Sequence, residues 1–126
     1  MKKSILTLFL ISFASLCAKK LPEISIEELE QAIQSNKVAI LDVNGENSYK
    51  KGHIPGAIHY SSEKNNLKQL LPKQKDTLIV AYCGGPLCGA YMKGIKAASE
   101  LGYHNLRHLS AGISGWKKAG KPISKP

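Results

Sequence analysis

Apolar and polar positions change their spacing several times along the chain, and each change marks an element. In "SIEELEQAIQSN", Ile26, Leu29 and Ile33 recur at helical spacing, and Ser25 with Glu28 three residues on forms a capping box, so a helix is expected from Ser25. "KVAILDV", residues 37–43, is instead an almost unbroken apolar run, the pattern of a parallel strand buried on both faces. "NGENSYKKGHIPGAIHY" carries turn signals at Asn44-Gly45, Gly52 and Pro55-Gly56, with a short strand expected over residues 57–60. "NNLKQLLPKQKD" predicts a short helix stopped by Pro72, and "TLIVAY", residues 77–82, is a second buried strand. A helix over residues 89–101 is expected to end at Gly102, followed by a strand in "NLRHLS" and a last short helix in "GISGWKKAG".

Strand and helix patterns alternate, which predicts an α/β fold: a small parallel sheet with helices on both faces. The chain has 126 residues, 43% of them hydrophobic, room for one small domain with one core. A monomer is expected.

The first residues follow a different pattern. Met1-Lys2-Lys3 is a short basic start, an apolar run reaches Leu16, and small residues follow, the layout of a secretory signal peptide over residues 1–18. The run is shorter than the ~20 residues a spanning helix needs. Cuts after Ala14, Cys17 or Ala18 all suit the pattern. Cys17 stands where a lipoprotein cysteine would, but Leu16 precedes it where a small residue is wanted, so membrane attachment is expected only if Cys17 carries a lipid. "KKLPE", residues 19–23, reads as a linker and residues 24–126 as the domain. An exported chain of this kind points to a periplasm, an oxidising compartment in which a cysteine pair forms a disulfide readily.

The formal charge is +9, from eighteen cations of which Arg107 alone is arginine. The lysines are scattered rather than aligned, and no arginine-based motif for bases or phosphates is present, which argues against nucleic acid as a partner. A lysine-rich surface suits anionic small molecules.

Candidate chemistry concentrates in "LIVAYCGGPLCGAYMKG". Ligands of open α/β sheets bind beyond the carboxyl ends of the strands, and Cys83 lies at such an end. Gly84, Gly85, Pro86, Leu87, Cys88 and Gly89 follow as a short glycine-rich loop into a helix. Backbone N–H groups turned inward, with the positive end of a helix, stabilise an anion, and the first anion available is the Cys83 thiolate. An inert buried cysteine at an ordinary strand-to-helix turn is the alternative; the glycine pair and second cysteine favour a reactive thiol.

Four pieces then occur in order: Asp42 at the end of the first long strand, "GHIPGAI" from Gly52 to Ile58, the Cys83 loop, and "AGISGW" ending at Trp116. Together they resemble the rhodanese domain family, over residues 23–123. The resemblance implies a sulfurtransferase without metal or organic cofactor. Cys83 is then the nucleophile that takes a sulfane sulfur from a small donor (thiosulfate, polysulfide or persulfide) and passes it to a thiol acceptor. The N–H groups of Gly84 to Gly89 hold the thiolate and then the persulfide, and Asp42 supports the loop by hydrogen bonding. His53 falls in a structural turn of the family, and Trp116 and the tyrosines are expected in the core or the cleft wall.

The chain departs from the family at two arginines. The loop arginine that grips an anionic donor is absent, with Cys88 in its region, and Asn44 replaces the arginine that often follows the strand-end Asp-Val. The donor therefore stays open. The related phosphatase and arsenate-reductase type needs a longer loop closing on arginine, which weighs against phosphoryl transfer. Cys88 admits three roles: apolar filler, disulfide partner of Cys83, or a resolving thiol that attacks the Cys83 persulfide. The spacing is not the C-x-x-C of thioredoxin-like proteins. A binding module that keeps the fold without catalysis, or a Cys83/Cys88 redox switch, is the alternative function. His104 and His108 flank a strand without ligands at metal spacing, so no metal site is expected.

Overall fold

The computed structural model describes residues 20–126; the expected signal peptide and Cys17 lie outside the described residues. Helix α1 (Ile26–Gln34) starts on the expected capping box: the Ser25 hydroxyl accepts from the Glu28 N–H, and the Glu28 carboxylate accepts from the Ser25 N–H. Strand β1 (Val38–Asp42) follows, then α2 (Glu46–Lys51), the two-residue β2 (Ile58–His59) and α3 (Tyr60–Glu63). A 3-10 turn (Lys64–Asn66) leads into α4 (Leu67–Leu70), and Leu71 leaves helical conformation just before Pro72. Strand β3 (Leu78–Tyr82), α5 (Tyr91–Glu100), β4 (Leu106–His108) and α6 (Gly112–Lys118) complete the order.

The four strands are all parallel, in the order β2-β1-β3-β4. The apolar runs are unbroken because both faces of the central strands are covered. Ile40, Val80 and Tyr82 point into a core with Leu29 of α1 and Ile113 and Trp116 of α6. Leu41, Ile79 and Ala81 point the other way, onto Leu67 of α4 and Ile95 and Ala98 of α5. The fold is the expected α/β sheet with helices on both faces. Pro22 to Ile24 run beside β4: the Ile24 N–H donates to the His108 carbonyl at 2.9 Å and the His108 N–H to the Pro22 carbonyl at 3.0 Å.

Three elements differ from expectation. Helix α2 occupies a stretch whose glycines pointed to turns; Gly45 and Gly52 are its two borders, and Tyr49 is its one large apolar residue, too few for a helical period. The strand expected over 57–60 narrows to Ile58–His59, because Tyr60 already opens α3. The helix of "NNLKQLL" is one segment of a longer, interrupted run that starts at Tyr60.

The strand order sets the place of the site. After β1 the chain turns to one side of the sheet, toward β2, and after β3 it turns to the other, toward β4. The carboxyl ends of β1 and β3 therefore flank the point where connections diverge, which leaves a crevice there.

Candidate functional site

Cys83 follows β3 at that point and is 2% exposed. It is joined to Cys88 by a disulfide, with Cα atoms 6.3 Å apart. Of the three roles open to Cys88, this state is the disulfide partner. The loop between them holds one internal hydrogen bond, from the Cys88 N–H to the Gly85 carbonyl at 3.0 Å.

Helix α6 fixes the loop from behind. The Ile113 N–H donates to the Cys83 carbonyl at 2.9 Å and the Ser114 N–H to the Gly84 carbonyl at 3.0 Å, so first-turn N–H groups of α6 are satisfied by the loop. A trans peptide directs its N–H opposite to its C=O. With those carbonyls held by α6, the N–H groups of Gly84 and Gly85 point away from it. Neither they nor the N–H groups of Leu87 and Gly89 meet an acceptor among the described residues, the Cys83 sulfur included. Gly112 makes the approach possible. Its φ is +61°, and a Cβ there would lie 2.6 Å from the Gly84 carbonyl carbon and the Gly85 nitrogen.

Asp42, fully buried, ties the neighbouring segments together. One carboxylate oxygen accepts from the Asn44 N–H at 2.8 Å and the other from the Tyr82 hydroxyl at 2.5 Å. Tyr82 in turn accepts from the Ile54 N–H at 3.0 Å. Burial, then the Asp42 charge and hydrogen bond, push the Tyr82 phenol far above its usual range. The network links the ends of β1 and β3 to the "GHIPG" turn. His53 sits in that turn with its ring stacked on Tyr49 at 3.7 Å and Nδ1 2.9 Å from the Tyr49 carbonyl. Its backbone pairs with Ser124. Trp116 is in the core, its indole N–H donating to the Pro122 carbonyl at 2.7 Å.

Two clefts flank the loop. One, of about 550 Å³, is lined by Pro86, Leu87, Cys88, Tyr91 and His108, among others. Cys83 is absent from its wall. His108, at the end of β4, is 5% exposed, stacks on Tyr91 at 4.4 Å, and has Nε2 3.9 Å from a Glu23 carboxylate oxygen, while its buried Nδ1 has no side-chain partner within hydrogen-bond distance among the described residues. Burial lowers its pKa, partly offset by the Glu23 charge and by a backbone hydrogen bond with Leu21. The other, of about 350 Å³, is lined by Asn44, Ser61, Lys64, Ala90 and Lys93, among others. The buried Asn44 Nδ2 has no partner among the described residues. His59 fixes this side, with Nε2 2.9 Å from the Asn44 carbonyl and its ring stacked on Tyr49.

The expected residues Cys83 to Gly89 and Asp42 thus converge at the ends of β1 and β3. Nothing in their spacing pointed to His108, Lys64 or Lys93. The strand-end rule that singled out Cys83, applied equally to β4, leads to His108. Arg107 is committed elsewhere: it donates to Glu28 at 3.1 Å and to the Glu23 carbonyl. Among the described residues no three His, Cys, Asp or Glu side chains cluster as a metal site, and no helix is long and apolar enough to cross a membrane.

A cysteine loop at the carboxyl end of a central parallel strand, backed by the start of the last helix, defines a small α/β protein with a strand-end thiol site. The family model described as Rhodanese-like domain matches residues 25–119, and the chain belongs to that family. A thiosulfate sulfurtransferase GlpE of Pseudoalteromonas translucida is 31% identical over 76% of this chain and 89% of its own. The dual specificity phosphatase Cdc25 of Arabidopsis thaliana is 27% identical over 99% of this chain and 92% of its own. Among solved structures, the BH2092 protein of Bacillus halodurans superposes with a TM-score of 0.64 at 26% identity, covering 82% of this chain and 77% of that one.

Proposed function

We propose that this protein is a sulfurtransferase or sulfur carrier that works through a persulfide on Cys83. The observation that carries the proposal is the backing of the Cys83 loop by α6, which leaves the N–H groups of Gly84 and Gly85 facing away from the helix and without an acceptor among the described residues. Such preorganised donors stabilise a sulfur anion without reorganisation when it forms. The reaction starts from the dithiol. The Cys83 thiolate attacks the sulfane sulfur of a donor; the new S–S bond forms as the bond to the donor breaks, and the donor leaves with that bond's electron pair. A thiol acceptor, as thiolate, then attacks the outer sulfur, takes it as its own persulfide and releases the Cys83 thiolate.

The donor suits the second cleft. Lys64 and Lys93 line it together with Asn44, and the lysine charges favour an anion such as thiosulfate or a polysulfide. The loop residues from Gly84 to Ala90 contain no arginine, which argues against the phosphate chemistry named for the Arabidopsis relative. The signal-like residues 1–18 support export to an oxidising compartment, with membrane attachment only through a lipid on Cys17.

The test is mass spectrometry of the reduced Cys88→Ser protein after thiosulfate or polysulfide. The expected result is one added sulfur atom on Cys83, removed by a thiol. Absence of that species with both donors rejects the carrier. A second reading, a thiol–disulfide switch, is favoured by the Cys83–Cys88 bond itself. It predicts a protein that cycles between dithiol and disulfide yet takes up no sulfur.

A further inference from the structure

Sulfur transfer through Cys83, on which this inference rests, requires the disulfide to be opened first. We propose that an incoming thiol opens it by attack on Cys88, from the cleft between the loop and His108, so that Cys83 leaves as the thiolate. The two sulfurs are not equivalent. Cys83 is 2% exposed and lines neither cleft beside the loop, whereas Cys88 is partly exposed and forms part of the wall of the 550 Å³ cleft. Thiol–disulfide exchange depends on access to the sulfur attacked and on how well the other sulfur leaves as an anion. Access selects Cys88. The leaving sulfur is then Cys83, beside the N–H groups of Gly84 and Gly85, which have no acceptor among the described residues, so both factors choose the same direction.

The cleft beside Cys88 has room for the entering group. Its volume is about 550 Å³, and His108, stacked on Tyr91, forms part of the same wall as Cys88. The wall combines apolar Pro86, Leu87 and Met92 with polar Lys20, Glu23 and Ser110, which suits a thiol on a narrow stem, whether a small molecule or the cysteine of an extended peptide.

The step balances with thiols alone. The entering thiol gives its proton to solvent; its thiolate forms an S–S bond to Cys88 as the Cys83–Cys88 bond breaks, and the electron pair stays on Cys83. A second thiol attacks the entering group's sulfur, which releases Cys88 and carries away a disulfide. Two thiols are oxidised and the protein disulfide is reduced by two electrons.

The test treats the oxidised wild-type protein with glutathione, or with a one-cysteine peptide, and quenches at short times with an alkylating reagent. Fragmentation of the tryptic peptide that holds both cysteines then locates the adduct. The expected result is the adduct on Cys88 and alkylation on Cys83, with a preference of about tenfold or more that is lost when the experiment is repeated in denaturant. The faster probe identifies the source of the thiol. An adduct chiefly on Cys83, equal division, or the same preference in the unfolded chain overturns the proposal. Sulfur loading of the reduced protein, measured in parallel, separates the two ideas. An adduct on Cys83 with normal loading rejects only the route of opening, and a failure to load rejects sulfur transfer wherever the adduct sits.

Discussion

At the scale of single residues, the site depends on contacts with no room to give. A Gly112→Ala change places a Cβ against backbone atoms of Gly84 and Gly85 in a left-handed conformation. Conformational strain of ~1–2 kcal/mol and overpacking of a similar size predict a loss of about 3 kcal/mol, read from the urea midpoint. Gly120→Ala is the control, since φ there is +73° but nothing lies within 4 Å; it bears the strain without the overlap, and an equal loss in both variants contradicts the close-approach account. Tyr82→Phe leaves an Asp42 oxygen and the Ile54 N–H without their partner. Unsatisfied buried groups cost ~1–3 kcal/mol each, so a loss of about 3 kcal/mol is expected by the same measurement. His108 gives a pH dependence. Burial lowers its folded pKa below the ordinary 6.5, so the unfolded chain binds the proton first as pH falls. Its contribution to stability is complete above about pH 6.5 and is lost below it. Unfolding titrations between pH 7.5 and 5.5 are expected to show this slope, and His108→Gln to flatten it.

At the scale of elements, legibility followed the kind of signal each one carries. Helix α1 announced itself because a capping box is local, and both of its hydrogen bonds formed. Ser25→Ala is therefore expected to cost about 1 kcal/mol, seen as a lower thermal midpoint. Strands β1 and β3 were readable because burial on both faces leaves an unbroken apolar run. Helix α2 was not: one tyrosine gives no period, and its support is the exposed Glu46–Lys50 pair at 2.8 Å and the stacking of His53 and His59 on Tyr49. The same division runs through the site. Cys83 and the loop are contiguous, so sequence displayed them. The walls are not contiguous: His108 comes to the loop only because β4 pairs with β3, and Asn44 only because β1 pairs with β3. Parallel strands are joined through long crossovers, so their neighbours are distant in sequence and leave no spacing to read.

At the scale of the whole molecule, the disulfide couples stability to redox state. The bond closes a ring of only a few residues, Cys83 to Cys88 at a separation of five. Chain entropy for so short a loop gives about 2 kcal/mol of stabilisation, near the low end for such bonds. A small domain has a margin of only ~5–15 kcal/mol, so that amount is felt without being decisive. The fold is therefore expected to survive reduction, as the proposed sulfur transfer requires: α6 clamps the loop through the Cys83 and Gly84 carbonyls, and those bonds involve neither sulfur. Urea unfolding with and without reductant is expected to show a midpoint shift worth about 2 kcal/mol, with reduced wild type matching Cys88→Ser. A collapse of the reduced protein at neutral pH in the absence of denaturant contradicts this, because it makes the disulfide a structural staple rather than the closed form of a working thiol. Equal stability of the two forms points the other way, to a native loop whose contacts in the reduced form offset the lost cross-link.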